Sequence, residues 1–315
     1  MSHCLQERGF EPMTSHSSPL FSLLLSHIAQ ANPMQARSLE KVIFGLHEKE
    51  KTELEDYLIF CKSDGINIEN LTKAYLTITM DTLREQVFFQ RHGRYRYKSF
   101  KDIKNKVYFD PAYMTYYMHG LALTLFLWPN HLEIFRFFRK AQLQNQGNRY
   151  LEVGPGHGIF FREAARNRRF KSYTGVDISP TSLEMTRKLL SSDRSLHGAS
   201  WTLLNADFLA TDSLQGPFDA VVMGEVLEHV EEPLLFLIKI RELANKGAFI
   251  FVTTAVNAPA IDHIYLFRTV DEVCDMVIAA GLSIEKILAT PYKGCTMQET
   301  IEQKLPINVA MVLAT

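Results

Sequence analysis

Along the first 145 residues the apolar positions recur with a period of about 3.6, and beyond them they fall into short runs separated by amphipathic stretches. The segments "PLFSLLLSHIAQ", "ARSLEKVIFGLHEKEKTELEDYLIFCK", "IENLTKAYLTITMDTLREQVFFQ" and "MTYYMHGLALTLFLWPNHLEIFRFFRKAQL" carry apolar residues at helical spacing and predict a mainly helical domain over 20–145. Residues 1–19, rich in Ser, His, Pro and other polar groups, predict a mobile segment. A polar, Gly-containing connection, "QLQNQGNR" at 142–149, marks a change of pattern. From there "YLEVG", "SYTGVDI", "SWTLLNAD", "FDAVVMG" and "AFIFVTTA" alternate with the helical "FFREAARNRRF", "SPTSLEMTRKLLSS", "EPLLFLIKIRELANK" and "TVDEVCDMVIAAG". That alternation predicts an α/β domain over 146–315, a doubly wound parallel sheet covered by helices on both faces.

Composition narrows the partners. A chain of 315 residues favours two units over one. With 34 basic and 35 acidic side chains the net charge is −1, so no global field attracts nucleic acid or an anionic membrane, and a small molecule is the expected substrate. Cys4, Cys61, Cys274 and Cys295 are scattered without CxxC spacing, which argues against a disulfide framework or a cysteine zinc site and makes the cytoplasm the expected location. Apolar runs such as "LALTLFLW" (121–128) fall short of the ~18 residues of a membrane span, and "MSHCLQERGFEP" lacks a signal-peptide pattern. A homodimer is the assembly to look for.

In a doubly wound sheet, ligands sit beyond the carboxyl ends of the strands. The first strand and its turn are "RYLEVGPGHGIF" (149–160), with Glu152 followed by Gly154, Gly156 and Gly158. Glycines let the chain turn sharply and bring a ligand close to the backbone. No Gly-Lys-Ser/Thr follows, as a P-loop requires, and Ile159 stands where a dinucleotide fingerprint places its last glycine. Glu152 repels a pyrophosphate and suits an ammonium or sulfonium group, and S-adenosylmethionine has those cations and no phosphate. Asp177, ending "YTGVDI" about twenty residues later, is placed to take both ribose hydroxyls. Asp207 and Phe208, in "LLNADFLATD", offer an acceptor for the adenine amino group and an aromatic wall. Both acids also suit the plainer task of capping the helices that follow them.

With "FDAVVMGEVLEHVEEP" the pattern of 145–315 resembles class I S-adenosylmethionine-dependent methyltransferases, in an E-x-G-x-G-x-G loop, a "VDIS" acid, an "ADF" and an "EVLEHV" segment in family order. The resemblance implies a Rossmann-like sheet closed by a reversed C-terminal hairpin, for which "LSIEKILAT" (282–290) and "INVAMVLAT" (307–315) are the candidate strands. It implies that Glu152, Gly154, Gly156 and Gly158 hold the methionine moiety, Asp177 with Ile178 the ribose, Asp207 and Phe208 the adenine, and that Gly224 lines the same site. The "EVLEHV" segment also resembles ubiquinone-pathway O-methyltransferases and small-RNA 2′-O-methyltransferases, which implies a divalent metal on Glu225, Glu228 and His229, with His263 as a further ligand. The surrounding RNA-family motif and its RNA-binding regions are not recognisable here.

Glu225, Glu228 and His229 stand at i, i+3 and i+4, spacing that puts them on one face of a helical turn. Two carboxylates and two imidazoles suit Mn, Fe, Co or Zn better than Mg. Without metal, Glu225 frames the cofactor while His229 and His263 serve as bases for the acceptor or as structural histidines. The helical domain is expected to select the substrate, with Tyr113, Tyr116 and Tyr117 in an aromatic segment over 108–128 that folds over the cofactor as a lid. Upstream, "RHGRYRYKSFKDIKNK" (91–106) holds seven Lys or Arg against one Asp among aromatics, readable as a nucleic-acid or carrier-protein contact or as a solvated basic face. The expected activity is methylation, preferably at oxygen, of a small aromatic or apolar metabolite. The alternatives are an RNA or carrier-tethered acceptor, and an inactive cofactor-binding partner-recognition protein.

Overall fold

The computed structural model describes residues 19–315. The expected mobile segment lies almost wholly outside the described residues. The chain forms two compact units that part between Thr72 and Lys73, inside α4. In the first, α1 (Pro19–Ala31) packs against α2 (Pro33–Phe44) and α3 (Glu48–Ser63). The buried Glu55 carboxylate accepts from the Leu20 and Phe21 amides at 3.1 and 2.8 Å, satisfying two of the unpaired donors at the start of α1. α4 (Ile68–His92) follows.

The second unit holds the rest of α4, then α5 (Phe100–Ile103), α6 (Pro111–Leu127), α7 (Pro129–Gln142) and the sheet. α6 starts where Asp110 accepts from the Ala112 and Tyr113 amides, both at 3.0 Å, with Pro111 in the first turn. Its body is buried on nearly every side, and α6 packs on α7 and on α9 (Pro180–Ser192). The compact unit does not begin near residue 145, as the change of pattern predicts, because a helix with almost no wet face packs on α7 and α9 and so belongs with the sheet's unit.

The sheet has seven strands: β1 (Gly147–Val153), β2 (Phe170–Asp177), β3 (Ser200–Asn205), β4 (Phe218–Met223), β5 (Ala244–Val256), β6 (Ser283–Thr290) and β7 (Ile307–Ala314). Their order is β3-β2-β1-β4-β5-β7-β6, parallel except for β7, which runs antiparallel between β5 and β6. The expected reversed hairpin is present. Leu151 and Val153 enter the core under α10 (Pro233–Leu243) and α11 (Val270–Ala279), while Tyr150 meets Phe161 of α8 (Ile159–Arg166) on the other face. Strand order reverses between β1 and β4, so the crevice for a ligand opens at the carboxyl ends of these two strands.

Candidate active site

The turn after β1 is built on left-handed backbone, with φ of +67°, +54° and +77° at Gly154, Gly156 and Gly158. A Cβ at Gly158 would stand 2.9 Å from Thr186 Oγ1 and 3.1 Å from Thr186 Cα, so α9 closes against the loop only because no side chain is there. Asp177, at the end of β2, accepts from the Gly156 amide at 3.3 Å and the Ser179 amide at 2.8 Å. Burial raises its carboxyl to about 6 despite these bonds. Ile178 follows it, half-buried.

Glu152 is bonded within the protein. It is 3% exposed, on the same face of β1 as Tyr150, and accepts from the Tyr150 hydroxyl and the Phe161 amide. Burial pushes its carboxyl up to about 8. It props the loop from beneath. Asp207 is exposed, and its Oδ1 accepts from the Leu209 amide at 2.9 Å. Phe208 corrects the expected aromatic wall: with Asp207 turned to solvent, the next side chain points into the core, where it meets Phe236 at 5.4 Å between centroids. Gly224 follows β4 beside Thr253, on β5.

The acidic and imidazole groups converge just past β4 and β5, by a different route from one helical face. Glu225 has φ +51°, a strained conformation for a side chain of its size, and its amide donates to Thr253 Oγ1 at 2.9 Å. Only Leu227–His229 form a short 3₁₀ turn. The Glu228 carbonyl accepts from the Ile264 and Tyr265 amides at 2.9 and 3.0 Å, which draws the loop after β5, and His263 with it, against the turn. Ligand atoms of Glu228, His229 and His263 all lie within 4.8 Å of one another. Glu225 is outside that trio, though its carboxyl reaches that of Glu228. Glu228 is fully buried, accepts from Thr254 Oγ1 at 2.8 Å, and is pushed well above the usual carboxylate range by burial and by Glu225. Glu225 Oε1 and Glu228 Oε1 are buried, and no donor among the described residues reaches them.

The histidines present their other nitrogens. His263 Nδ1 lies at hydrogen-bond distance from the Ala258 carbonyl, so the proton is on Nδ1 and Nε2 keeps its lone pair. Burial, then the neighbouring His229, lowers its imidazole to about 3, so it is neutral. His229 Nδ1 lies 3.1 Å from the Tyr108 hydroxyl and 3.2 Å from the Asp262 carbonyl. Asp262, buried, accepts from Tyr117 at 2.8 Å and from Tyr108 at 3.2 Å. Burial first, and then Asp262, holds both phenols far above their ordinary value, so both stay protonated donors.

Asp262 has no role in the sequence reading, and Tyr108 enters it only as part of the aromatic segment 108–128. An acid inside the apolar "NAPAIDHIYLF" was the signal for the first. Of the three tyrosines expected at the substrate, Tyr117 reaches the site and Tyr113 stacks on it at 5.8 Å. Tyr116 does not: it is exposed, under the Lys73 ammonium at 5.6 Å. In the basic segment, Arg96 pairs with Glu85 at 2.9 Å, Arg94 and Arg96 lie over Phe88, and Tyr95 is buried with its hydroxyl accepting from the Ala258 amide.

Residues 130–283 match the family described as a methyltransferase domain. The chain carries a methyltransferase domain. Its strand order and glycine turn give that domain the class I, Rossmann-like form. The ubiquinone biosynthesis O-methyltransferase, mitochondrial, of Schizosaccharomyces pombe is 33% identical over 142 residues, 45% of this chain and 50% of that protein. Its Candida albicans namesake is 24% identical over 314 residues, 95% of this chain and 87% of that protein. The chain spans about half the length of the fission-yeast relative and of a Xanthomonas campestris relative of the same function name. Among solved structures, N-methyltransferase NodS from Bradyrhizobium japonicum with S-adenosyl-L-homocysteine is 15% identical, covering 58% of this chain and 87% of that one, at a TM-score of 0.44. Among the described residues, no helix of the methyltransferase domain or of the rest is long and apolar enough to cross a membrane.

Proposed function

We propose that this protein is an S-adenosylmethionine-dependent O-methyltransferase acting on a small, aromatic or otherwise apolar metabolite. One observation carries the reading: a carboxylate and two imidazoles, with ligand atoms within 4.8 Å of one another, stand beside the glycine turn at the carboxyl ends of the strands. The closeness of turn and cluster is visible at Gly154, where a Cβ would stand 2.8 Å from Val226. The relatives named for O-methylation in ubiquinone biosynthesis favour a hydroxyl acceptor.

S-adenosylmethionine supplies an already activated methyl group. The protein's own part is alignment, exclusion of water and removal of the acceptor's proton. The Gly154–Gly158 turn offers backbone to the methionine moiety, and Asp177 offers carboxylate oxygens to the ribose. Asp207 is the acceptor candidate for the adenine amino group. Tyr108, Tyr113 and Tyr117, with Met114 and Met118, make an apolar cover with phenol groups for the acceptor. Nε2 of His229 takes the acceptor's proton; His263, lowered to about 3 by burial, is the weaker base of the two and lies beside it.

The same groups fit a divalent cation, on two grounds. Two buried carboxylate oxygens lack donors among the described residues, and the bond of His263 Nδ1 to the Ala258 carbonyl leaves its Nε2 unprotonated. Glu228, His229 and His263 would hold the ion with Glu225 alongside, and it would make the acceptor hydroxyl more acidic. Incubation of enzyme, a cell extract and deuteromethyl-labelled cofactor tests the proposal by mass spectrometry. Label on a small molecule, at oxygen, is the expected result; label confined to RNA or protein, or none at all, overturns it.

A further inference from the structure

We infer that Asp262 is a positioning residue that locks His229 in the tautomer presenting a bare Nε2 to the acceptor side, and that Tyr108 and Tyr117 hold Asp262 in turn. The inference rests on the reading of the cluster above. Three oxygens surround His229 Nδ1: the Tyr108 hydroxyl at 3.1 Å, the Asp262 carbonyl at 3.2 Å and Asp262 Oδ2 at 3.3 Å. A carbonyl and a carboxylate only accept. An unprotonated Nδ1 would set its lone pair against both, so the proton belongs on Nδ1 and the lone pair on Nε2. The Tyr108 hydrogen is then directed to Oδ2, at 3.2 Å, while Tyr117 donates to Oδ1, at 2.8 Å. Both carboxylate oxygens are engaged, and the group cannot turn away from the ring.

Asp262 is 1% exposed. Burying a carboxylate is costly unless its bonds are made, and a purely structural position of this kind is filled as well by an apolar side chain. Here its partners join two parts of the chain. The donors come from Tyr108 and from α6, and the imidazole comes from the turn after β4. Ser179 Oγ also donates to the Tyr108 carbonyl at 3.2 Å, fastening the same segment beside Asp177. The ring of His229 is therefore set only when the segment around residues 108–117 is packed down. A released ring would rotate and carry its proton on Nε2, putting a donor where Glu228 and His263 present acceptors. An orienting carboxylate behind a functional imidazole is a general device for fixing the tautomer.

The test uses full-length protein labelled with ¹⁵N at histidine and kept free of metal. Nuclear magnetic resonance of the wild type should show His229 in one tautomer, protonated at Nδ1. In Asp262→Asn a second population, protonated at Nε2, should appear. Cobalt(II) affinity, followed by its visible absorption, should fall ~10–100-fold, with S-adenosylhomocysteine affinity essentially unchanged. Tyr108→Phe and Tyr117→Phe should shift both readouts the same way by less, and combine with Asp262→Asn less than additively. A wild-type tautomer and unchanged cobalt affinity in Asp262→Asn would overturn the inference, as would an equal loss of cofactor affinity, the mark of a general structural role. Should Asp262→Asn fail to fold, the two Phe variants decide, and unaltered His229 signals in both reject the role. Failure of the wild type to bind cobalt would overturn the metal reading instead, while the tautomer readout would still judge Asp262.

Discussion

Asp177 is already held by two amides, from Gly156 and Ser179, and each of its oxygens has a lone pair left for a ribose hydroxyl. Asp177→Ala is expected to weaken S-adenosylmethionine binding by ~1.5–3 kcal/mol, the range for hydrogen bonds to a charged group, and unchanged affinity by calorimetry in a folded variant would remove the assignment. Glu152 gives a pH test. Its folded value, about 8, lies above the ordinary 4.5, so the folded state holds the proton more tightly than the unfolded one. The contribution is fully present below pH 4.5 and is lost as pH rises toward 8, at up to ~1.4 kcal/mol per pH unit. Glu152→Gln should flatten that part of the stability profile in urea unfolding, and an equal slope in both proteins would contradict it. The glycine turn, Asp177 and the Glu228–His229 pair stand in short local patterns that the sequence displays, whereas His263 was pointed to by the family resemblance alone. The bond between Asp262 and Tyr108 was not legible, since the two meet across 154 residues, and no local spacing records such a contact. Glu152 shows the converse, a motif position whose side chain the strand's alternation turns inward, and Phe208, in the turn after β3, packs on Phe236 in the core.

At the scale of elements, the segment from Tyr108 through α6 joins the strand-end loops by side-chain bonds, from Tyr108 and Tyr117 to Asp262 and from Ser179 to Tyr108. Bonds of this kind open with local fluctuations and are reinforced by whatever fills the space beneath them. Saturating S-adenosylmethionine is therefore expected to slow amide exchange over residues 108–118 as well as 150–160, measured by hydrogen–deuterium exchange mass spectrometry. Protection confined to 150–160 would leave the aromatic segment as core packing. The alternation of strands and helices could be read ahead because burial on both faces imposes short, near-continuous apolar runs, and the reversed hairpin because the family resemblance implied it. The convergence after β4 could not be read in its true form. Helical spacing brought Glu225, Glu228 and His229 together on paper, whereas the chain does so with left-handed backbone at Glu225, a short 3₁₀ turn and two amides from the next loop.

At the scale of the molecule, the carboxylate pair offers a test that separates cofactor binding from acceptor chemistry. Glu225 and Glu228 crowd one another without donors for two of their oxygens, an arrangement relieved by a shared proton or by a cation. If a cation is used, chelation should abolish turnover while leaving S-adenosylmethionine affinity nearly intact, because Asp177 and the glycine turn do not depend on it. Full activity of rigorously metal-free enzyme would exclude that use. His263→Ala should then cost ~10²–10⁴ in rate if its Nε2 acts as base, and little if it only packs.

The wedging of β7 between β5 and β6 has a consequence for the order in which the protein is made. Asn308 of β7 reaches Glu225 at 3.4 Å and accepts from Asn130 at 2.6 Å, so the acceptor side is finished by a strand that emerges about fifty residues after its neighbour β5. Until residues 307–314 leave the ribosome, β5 presents the open edge of a long, apolar strand, and β6 has no partner to pair with. A nascent chain stalled in that interval is an aggregation template of the kind edge strands create, and a fragment ending short of residue 307 carries every glycine and acid of the cofactor turn yet lacks the strand that closes the sheet.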